Sequence, residues 1–243
     1  MTTPILYRPE TMITLRKSNE RGRADLGRLK SYHTFSFASY HDQAHMGFRA
    51  LRAMNEVCVA AGHGFGRHAH ANMEIVSYVL DGTLELKDWM EEGEVVQAGE
   101  LQRISAGTGI SHSEINPSEN QSAHFYQVWL LPKVRDVRPS SERRRFDDGE
   151  MKNSLRVVAS PDGRDGSLSI QQDALLYLSK LESGATLDFA IDAGRYAWLQ
   201  VLRGSVALNS NHLETGTGAA IENESLLRID ATSDAEIMLF DLA

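Results

Sequence analysis

Residues 62–87 read GHGFGRHAHANMEIVSYVLDGTLELK, and this stretch indicates the class of fold. An apolar run at 75–80 leads into Asp81-Gly82, and an alternating segment follows at 83–87. Asp-Gly supports the positive φ angles of a tight turn between antiparallel strands. The stretch therefore predicts a β-hairpin, preceded by a glycine-rich segment that carries His68 and His70.

The rest of the chain has the same strand character. Short β-branched and aromatic runs are broken by Gly, Asp and Asn, and no long window holds the three-to-four residue apolar period of a helix. We predict a mostly β protein. The further strands are expected at 101–104, 124–131, 168–171, 175–178, 196–202, 206–208, 226–229 and 236–240.

A segment rich in Pro, Ser and charge, 132–152, is interpreted as a linker. It divides the chain into an N-terminal domain, 12–131, and a C-terminal domain, 153–243. The sequence VLDG at 79–82 is echoed by VLRG at 201–204, each followed by a short alternating strand. These spacings predict duplicated β-barrels.

The echo also predicts what stands in the second barrel at the positions of the candidate ligands described below. Ala190 and Asp192 fall at the first pair of positions, and Ala231 and Ser233 at the second. None of these residues offers an imidazole. We therefore expect no second metal set, and expect the second barrel to close the first and complete its entrance.

The composition excludes several classes of function. The 243 residues are 42% hydrophobic and 24% charged, as in globular proteins of one or two domains. The net charge of −8 disfavours nucleic acid and anionic membranes as direct partners. The lone cysteine, Cys58, cannot form an internal disulfide, and we expect it in the core.

The first residues, MTTPILYRPETMITLRK, contain no long apolar segment followed by a small-residue cleavage site, so we expect no secretory signal, and no run approaches the roughly 20 apolar residues of a membrane span. We expect a cytoplasmic monomer. Either Met1 or Met12 can be the start of translation.

Two pairs of polar residues are candidates for a metal site. Alternate residues of a strand project to the same face, so His68 and His70 point together, and so do His112 and Glu114. Either pair alone is also compatible with a polar strand end. Brought together by a barrel, the pairs provide three imidazoles and one carboxylate. This donor set suits one divalent transition metal and leaves two octahedral positions open.

Two motifs then carry a resemblance to a known family. The first cupin motif, G-x5-H-x-H-x3-E, is met by Gly62, His68, His70 and Glu74, although Gly82 follows one residue later than is usual. The second, G-x5-P-x-G-x2-H-x3-N, is approximated by residues 99–116, with Ser105 in place of proline and two extra residues before His112.

These departures resemble the pirins, which are bicupins with a Ser-Ala-Gly-x-Gly-Ile-x-His-x-Glu segment, as at 105–114. The similarity extends from about Met12 to the C-terminus. It includes HTFSF at 33–37 and SPDGRDGS at 160–167. The resemblance implies an all-β bicupin fold, with two cupin (jelly-roll) barrels in tandem.

The resemblance also implies the ligand set, namely His68, His70, His112 and Glu114. Glu74, a ligand in many other cupins, is then expected beside the site, orienting an imidazole through its free N–H. Fe(II) is the first choice of metal, with Cu, Ni, Mn and Zn as alternatives. His124 and Tyr126 share one face of a strand and Gln127 and Trp129 the other, and the sequence leaves open which pair faces the barrel interior.

Resemblance to the bacterial pirins implies a quercetin 2,3-dioxygenase-like oxidoreductase. Such an enzyme opens the heterocyclic ring of a flavonol, a small aromatic substrate, with O2 and releases carbon monoxide. Glu114 is the candidate catalytic base. Two alternatives remain: a non-enzymatic, iron-dependent regulator that acts through a protein partner, and a cupin isomerase or small-molecule binding protein.

Overall fold

The computed structural model describes residues 12–87 and 93–243, which are almost entirely β. The strands of the first half are β1 (Met12–Arg16), β2 (Gly22–Asp25), β3 (Leu29–His33), β4 (Leu51–Val59), β5 (Gly64–His70), β6 (Glu74–Asp81), β7 (Thr83–Lys87), β8 (Glu94–Gln97), β9 (Glu100–Ser105), β10 (Ile110–Ile115) and β11 (Ala123–Leu130). Those of the second half are β12 (Ser140–Arg145), β13 (Arg156–Ser160), β14 (Leu168–Ser169), β15 (Ala174–Leu181), β16 (Thr186–Ala190), β17 (Tyr196–Arg203), β18 (Ser205–Leu208), β19 (Asn211–Glu214), β20 (Gly218–Glu222), β21 (Leu226–Ala231) and β22 (Ala235–Leu242).

The helical elements are short: α1 (Asp148–Met151) and two 3-10 turns, Ser18–Glu20 and Arg164–Gly166. No helix in this part of the chain has the length and apolar character needed to cross a membrane. The predicted starts at Met1 and Met12 concern residues 1–11, which lie outside the described residues.

The strands form four sheets in two barrels. The N-terminal barrel pairs the seven-stranded sheet β12-β9-β6-β11-β4-β3-β2 with the four-stranded sheet β5-β10-β7-β8. The C-terminal barrel repeats this plan with β1-β20-β17-β22-β15-β13-β14 and β16-β21-β18-β19. The predicted pair of tandem all-β cupin barrels is confirmed.

Three apolar layers hold the sheets together, and central strands of the seven-stranded sheets, such as β6, β11, β17 and β22, contribute alternate residues to two of them. One layer fills the N-terminal barrel around Val79 and Phe125, and another fills the C-terminal barrel around Leu199 and Ile237. The third lies between the two seven-stranded sheets, where Tyr126 and its neighbours form one cluster with residues of the C-terminal sheet. The barrels therefore pack back to back.

The predicted hairpin is present, with its counterpart in the second barrel. Gly82 and Gly204 occupy equivalent turns with φ of +73° and +72°. A Cβ at Gly204 would lie 1.9 Å from the Asp234 carbonyl oxygen, and one at Gly82 would lie 2.6 Å from that of Ser122. Both turns therefore require glycine for conformation and for space.

Strand pairing corrects the predicted correspondence between the two halves. His112 pairs with His68 as Leu227 pairs with Phe189. Glu114 lies opposite Leu86 as Ile229 lies opposite Leu208. The counterparts of the candidate ligands are therefore Phe189, Ile191, Leu227 and Ile229, and the prediction of Ala190, Asp192, Ala231 and Ser233 was wrong. The VLDG echo anchors only the hairpin, and a slip of one residue transfers every side chain to the opposite face.

Two segments are placed differently from the sequence prediction. β1, expected within the N-terminal domain, pairs with β20 of the C-terminal sheet, Met12 lying opposite Glu222. The segment expected to be a solvated linker contains β12, which pairs with β9 along Ser140 to Arg145. In the N-terminal barrel, β12 is thus the edge strand beside β9. In the C-terminal barrel, β1 is the edge strand beside β20, which is equivalent to β9. The charged composition of β12, SSERRR, suits that place because edge strands are exposed on one side.

Candidate metal centre

Two neighbouring strands, β5 and β10, bring the histidines together. His112 lies directly opposite His68 in the antiparallel pair, and His70 follows His68 by two residues on the same face. The ring centroids are 4.6 Å apart for His68 and His112, 4.7 Å for His68 and His70, and 4.9 Å for His70 and His112. Among the described residues, these three form the one group of potential metal ligands whose donor atoms all lie within 4.8 Å of one another.

The geometry of the group fits a cation. The Nδ1–H of His68 donates to the Gly66 carbonyl oxygen at 2.8 Å, which leaves Nε2 as the free donor atom. That Nε2 is 3.1 Å from the Nε2 of His112. Two nitrogens bound to one metal at about 2.1 Å and at a right angle would be separated by about 3.0 Å. The pair is therefore spaced as two adjacent ligands.

The protonation states also favour metal binding. Burial, with a contribution from His68, lowers the pKa of His70 to about 4. Burial, with contributions from His68 and His70, lowers the pKa of His112 to about 3. Both imidazoles are neutral at pH 7, and only the neutral form coordinates a metal.

Glu114 lies beside this group but is not part of the three-histidine cluster. Its side chain is buried, and burial raises the pKa of its carboxyl, opposed by Gln127 and His68. The Gln127 Nε2 donates to Glu114 Oε1 at 2.7 Å, and the Trp129 Nε1 donates to Gln127 Oε1 at 3.1 Å. The indole thus fixes the orientation of the carboxamide, and the carboxamide holds the carboxyl. The open question about β11 is settled, because Gln127 and Trp129 face the interior.

A cavity of about 430 Å³ opens beside these residues. Its wall includes His68, Glu114 and Trp129, together with aromatic and aliphatic side chains such as Phe37 and Phe65. A volume in this range and a mostly apolar lining are typical of small-molecule sites. Its lining residues lie between Ala24 and Trp129. Among the described residues, none of the C-terminal barrel lines this cavity, whereas the sequence predicted that the second barrel would complete its entrance.

An irregularity in β5 helps to form this wall. The pairing of β10 with β5 shifts between His112 and Glu114, so that Glu114 lies opposite Phe65. Three steps along β5 thus match two along β10, which is the signature of a bulge. Phe65 and His68 consequently both line the cavity, although residues three apart in a regular strand face opposite sides.

Two other expectations were wrong. Glu74 orients no imidazole: its Oε2 accepts from the Ser105 hydroxyl at 2.8 Å and from the backbone N–H of Gln171 at 3.2 Å, which links the two barrels. Cys58 is only half-buried rather than in the core. Sequence reasoning also missed Asn55, whose polar side chain is buried and lines the cavity.

Comparison with known proteins identifies the family. The pirin family model matches residues 14–130, and the model of the quercetinase C-terminal cupin domain matches residues 157–242. The chain is 49% identical over 231 residues to the quercetin 2,3-dioxygenase of Escherichia coli strain K12, covering 95% of this chain and 99% of the relative. The chain belongs to the pirin family.

Other pirins and related proteins support the same placement. A putative quercetin 2,3-dioxygenase of Pasteurella multocida is 39% identical over 235 residues, covering 95% of this chain and 100% of the relative. The crystal structure of the bacterial pirin YhhW from Escherichia coli in complex with nickel(II) is 48% identical, with a TM-score of 0.91, covering 95% of this chain and 99% of that one. The similarity to these proteins thus extends over both barrels of this pirin.

Proposed function

We propose that this pirin is a metal-dependent dioxygenase of the quercetinase type. It opens the heterocyclic ring of a flavonol such as quercetin with O2 and releases carbon monoxide. The observation that carries the proposal is the convergence of three imidazoles beside an apolar cavity of about 430 Å³. The 49% identity to a quercetin 2,3-dioxygenase over 95% of the chain supports the choice of reaction.

The ligands we assign are His68, His70, His112 and Glu114. His68 and His112 already have the spacing of adjacent ligands, and the chain supplies the Gly66 carbonyl that holds His68 in the required tautomer. Fe(II) is our first choice of metal, and Cu, Ni, Mn and Zn are alternatives that imidazole and carboxylate donors also accept. When bound, the metal would supply Lewis acidity toward an acidic hydroxyl of the substrate, and a redox-active metal such as Fe(II) would also supply electron exchange with O2.

Glu114 takes the proton from the flavonol 3-hydroxyl in this proposal. Its carboxyl lines the cavity beside His68, where a hydroxyl held at the imidazoles would lie within reach. Gln127 keeps one carboxyl oxygen engaged, so the other oxygen would hold the metal and, on moving off it, would accept the proton. Removal of this proton prepares the ring for oxidation because the oxyanion is the more electron-rich form.

The cavity walls select and shield the substrate. Phe37 and Trp129 meet edge to face at 4.9 Å, and Phe65 extends the aromatic surface. A planar polyphenol can lie against these rings, and the apolar lining excludes water from the reacting carbon atoms. The catalytic chemistry is thus assigned to the N-terminal domain, 12–131, with the segment 132–152 and the C-terminal domain, 153–243, supporting it.

Metal reconstitution tests the proposal. The protein is loaded anaerobically with Fe(II), Cu(II), Ni(II) or Mn(II), and O2 uptake and carbon monoxide release are then measured with quercetin. We expect about one metal per chain and turnover with at least one of these metals. Loss of quercetin absorbance only at the rate of autoxidation, with all four metals, would contradict the enzyme and favour the iron-dependent regulator.

A further inference from the structure

A row of polar side chains crosses the interior of the N-terminal barrel. Gln127 of β11 pairs with Asn55 of β4, and Asn55 pairs with His33 of β3. All three side chains line the cavity, with exposed fractions of 7%, 2% and 5%. Polar groups buried to this degree cost free energy unless they are hydrogen-bonded. A row of three such side chains inside the barrel therefore calls for an explanation.

The far end of the row has a defined hydrogen-bond polarity. His33 Nδ1 donates to Asn55 Oδ1 at 2.8 Å, because the carboxamide oxygen can only accept. The Nε2 of His33 therefore carries a lone pair, which faces the Ser31 hydroxyl at 3.2 Å. Ser31 also lines the cavity. The Ser31 hydroxyl donates to this lone pair, so the Ser31 oxygen keeps acceptor capacity at the cavity wall, and His33 Nε2 accepts from a ligand when the Ser31 hydroxyl turns away.

The opposite end of the row reaches the candidate metal centre, where Gln127 donates to Glu114. Neighbouring strands are about 4.8 Å apart, so His33, two strands from Gln127, lies about 10 Å away along the sheet. The row thus extends across the cavity from the reacting end to a remote acceptor pair. That separation suits a ligand of two or three aromatic rings.

The fold does not require this row. Strand pairing places Leu239, Tyr177 and Val157 of the C-terminal barrel at the positions of Gln127, Asn55 and His33. The same sheet is therefore built there with largely apolar side chains. The polar row is a property of the barrel that contains the histidine cluster.

We propose that Ser31 and His33 form a recognition subsite for a phenolic hydroxyl of the substrate. The hydroxyl is carried on a ring remote from the oxygen held at the imidazole cluster, and it donates to His33 Nε2 or Ser31 Oγ. Asn55 is a positioning residue because it fixes the tautomer of His33. The identity of the ligand as a flavonol rests on the proposed function.

The test compares two ligands in the absence of O2. Dissociation constants for quercetin and for 3-hydroxyflavone, which has no other hydroxyl, are measured by equilibrium dialysis with nickel-loaded protein. His33→Phe keeps an aromatic ring but removes the acceptor. We expect it to weaken quercetin binding about 2- to 10-fold, the range of one neutral hydrogen bond, and to leave 3-hydroxyflavone within about twofold.

Controls separate recognition from structure. His212→Phe, at an exposed site in the C-terminal barrel, should change neither constant. His33→Gln, whose carboxamide retains an acceptor, should restore part of the preference for quercetin. If His33→Phe does not fold, Ser31→Ala replaces it, with a smaller loss expected for quercetin alone.

Equal weakening of both ligands, or no weakening of quercetin, would overturn the subsite. Binding is measured without turnover, so the result is independent of the dioxygenase assay. An inactive protein that still prefers quercetin through His33 would contradict the proposed function and leave the subsite standing. An active protein without that preference would support the proposed function and overturn the subsite.

Discussion

The two barrels share one backbone plan and differ in what fills them. Their sheets have the same strand order, and equivalent glycine turns join their central hairpins. In the N-terminal barrel, one set of interior positions holds three histidines and a glutamate, whereas the C-terminal barrel holds four apolar residues there. Those residues are Phe189, Ile191, Leu227 and Ile229, all packed in one cluster. The comparison shows that the fold provides positions, and that side chains decide what those positions do.

The polar filling carries an energetic cost that the apolar filling avoids. Leu227 and Ile229 are fully buried among apolar neighbours and require no partners. Glu114 and His112 are equally buried, and His112 Nδ1 is without a hydrogen-bond partner in the described part of the chain. Such groups lower stability unless a ligand compensates for them. Buried polar groups that lower the stability of the fold in this way are typical of a functional site.

The largest effect is expected at His70, whose equivalent position in the C-terminal barrel is occupied by Ile191. His70→Ala should lose most of the bound metal and lower turnover by at least about 100-fold, because one of the converging imidazoles is removed. Metal per chain is measured by elemental analysis after reconstitution. Occupancy equal to that of the wild type would show that His70 is not a ligand.

Ile191→Ala is the matched control in the other barrel. It should retain about one metal per chain but lower the free energy of unfolding by about 2–5 kcal/mol, the range for truncating a buried isoleucine. Urea denaturation measures this loss. Metal loss in this variant would mean that the C-terminal barrel contributes to the site.

The second prediction compares two buried glutamates of the N-terminal barrel. Glu114→Gln keeps an oxygen donor of similar size but no longer accepts a proton, so turnover at full metal occupancy should fall about 100-fold. Glu74→Gln should leave metal content and turnover near wild type, because Glu74 bonds Ser105 and Gln171 rather than an imidazole. Rates are compared per bound metal. Similar losses in both variants would argue for a structural effect and against a base.

The third prediction concerns Glu56, which pairing places at the position of Leu178 in the second barrel. Burial alone would raise the pKa of Glu56, but hydrogen bonds and charge from His124 and Arg21 outweigh it and hold the pKa at about 2. Arg21 Nη2 lies 2.8 Å and His124 Nε2 lies 3.0 Å from the carboxylate. A depressed pKa stabilises the fold above the ordinary value of 4.5, and this stability is lost as pH falls toward 2.

Glu56→Gln should therefore lower the free energy of unfolding at pH 7 by on the order of 3 kcal/mol, since each pKa unit corresponds to about 1.4 kcal/mol. The difference from the wild type should shrink between pH 4.5 and 2. Denaturant titrations across this range measure it. A constant difference at all pH values would show that the interactions of Glu56 with Arg21 and His124 do not contribute.

The strongest features of the sequence were local, and they predicted the fold class well. Asp81-Gly82 between two alternating segments indicated the hairpin, and the VLDG and VLRG echo indicated the repeat; the structure contains both. The i, i+2 spacing of His68 and His70 indicated a shared face, and His112 lies opposite His68 in the structure. The assignment of these residues and Glu114 as metal ligands stays a prediction.

What the sequence by itself determined follows from interactions between near neighbours: turn geometry, alternation along a strand, and the donor types available for a metal. The tertiary structure decided the exchange of edge strands β1 and β12, the bulge beside Phe65, and the true counterparts of the ligands in the second barrel. It also decided that Gln127, rather than Tyr126, faces the cavity. Each of these four features depends on which strands pair with one another and on the register of that pairing. Register is set by burial across the whole sheet, which residues adjacent in sequence do not reveal.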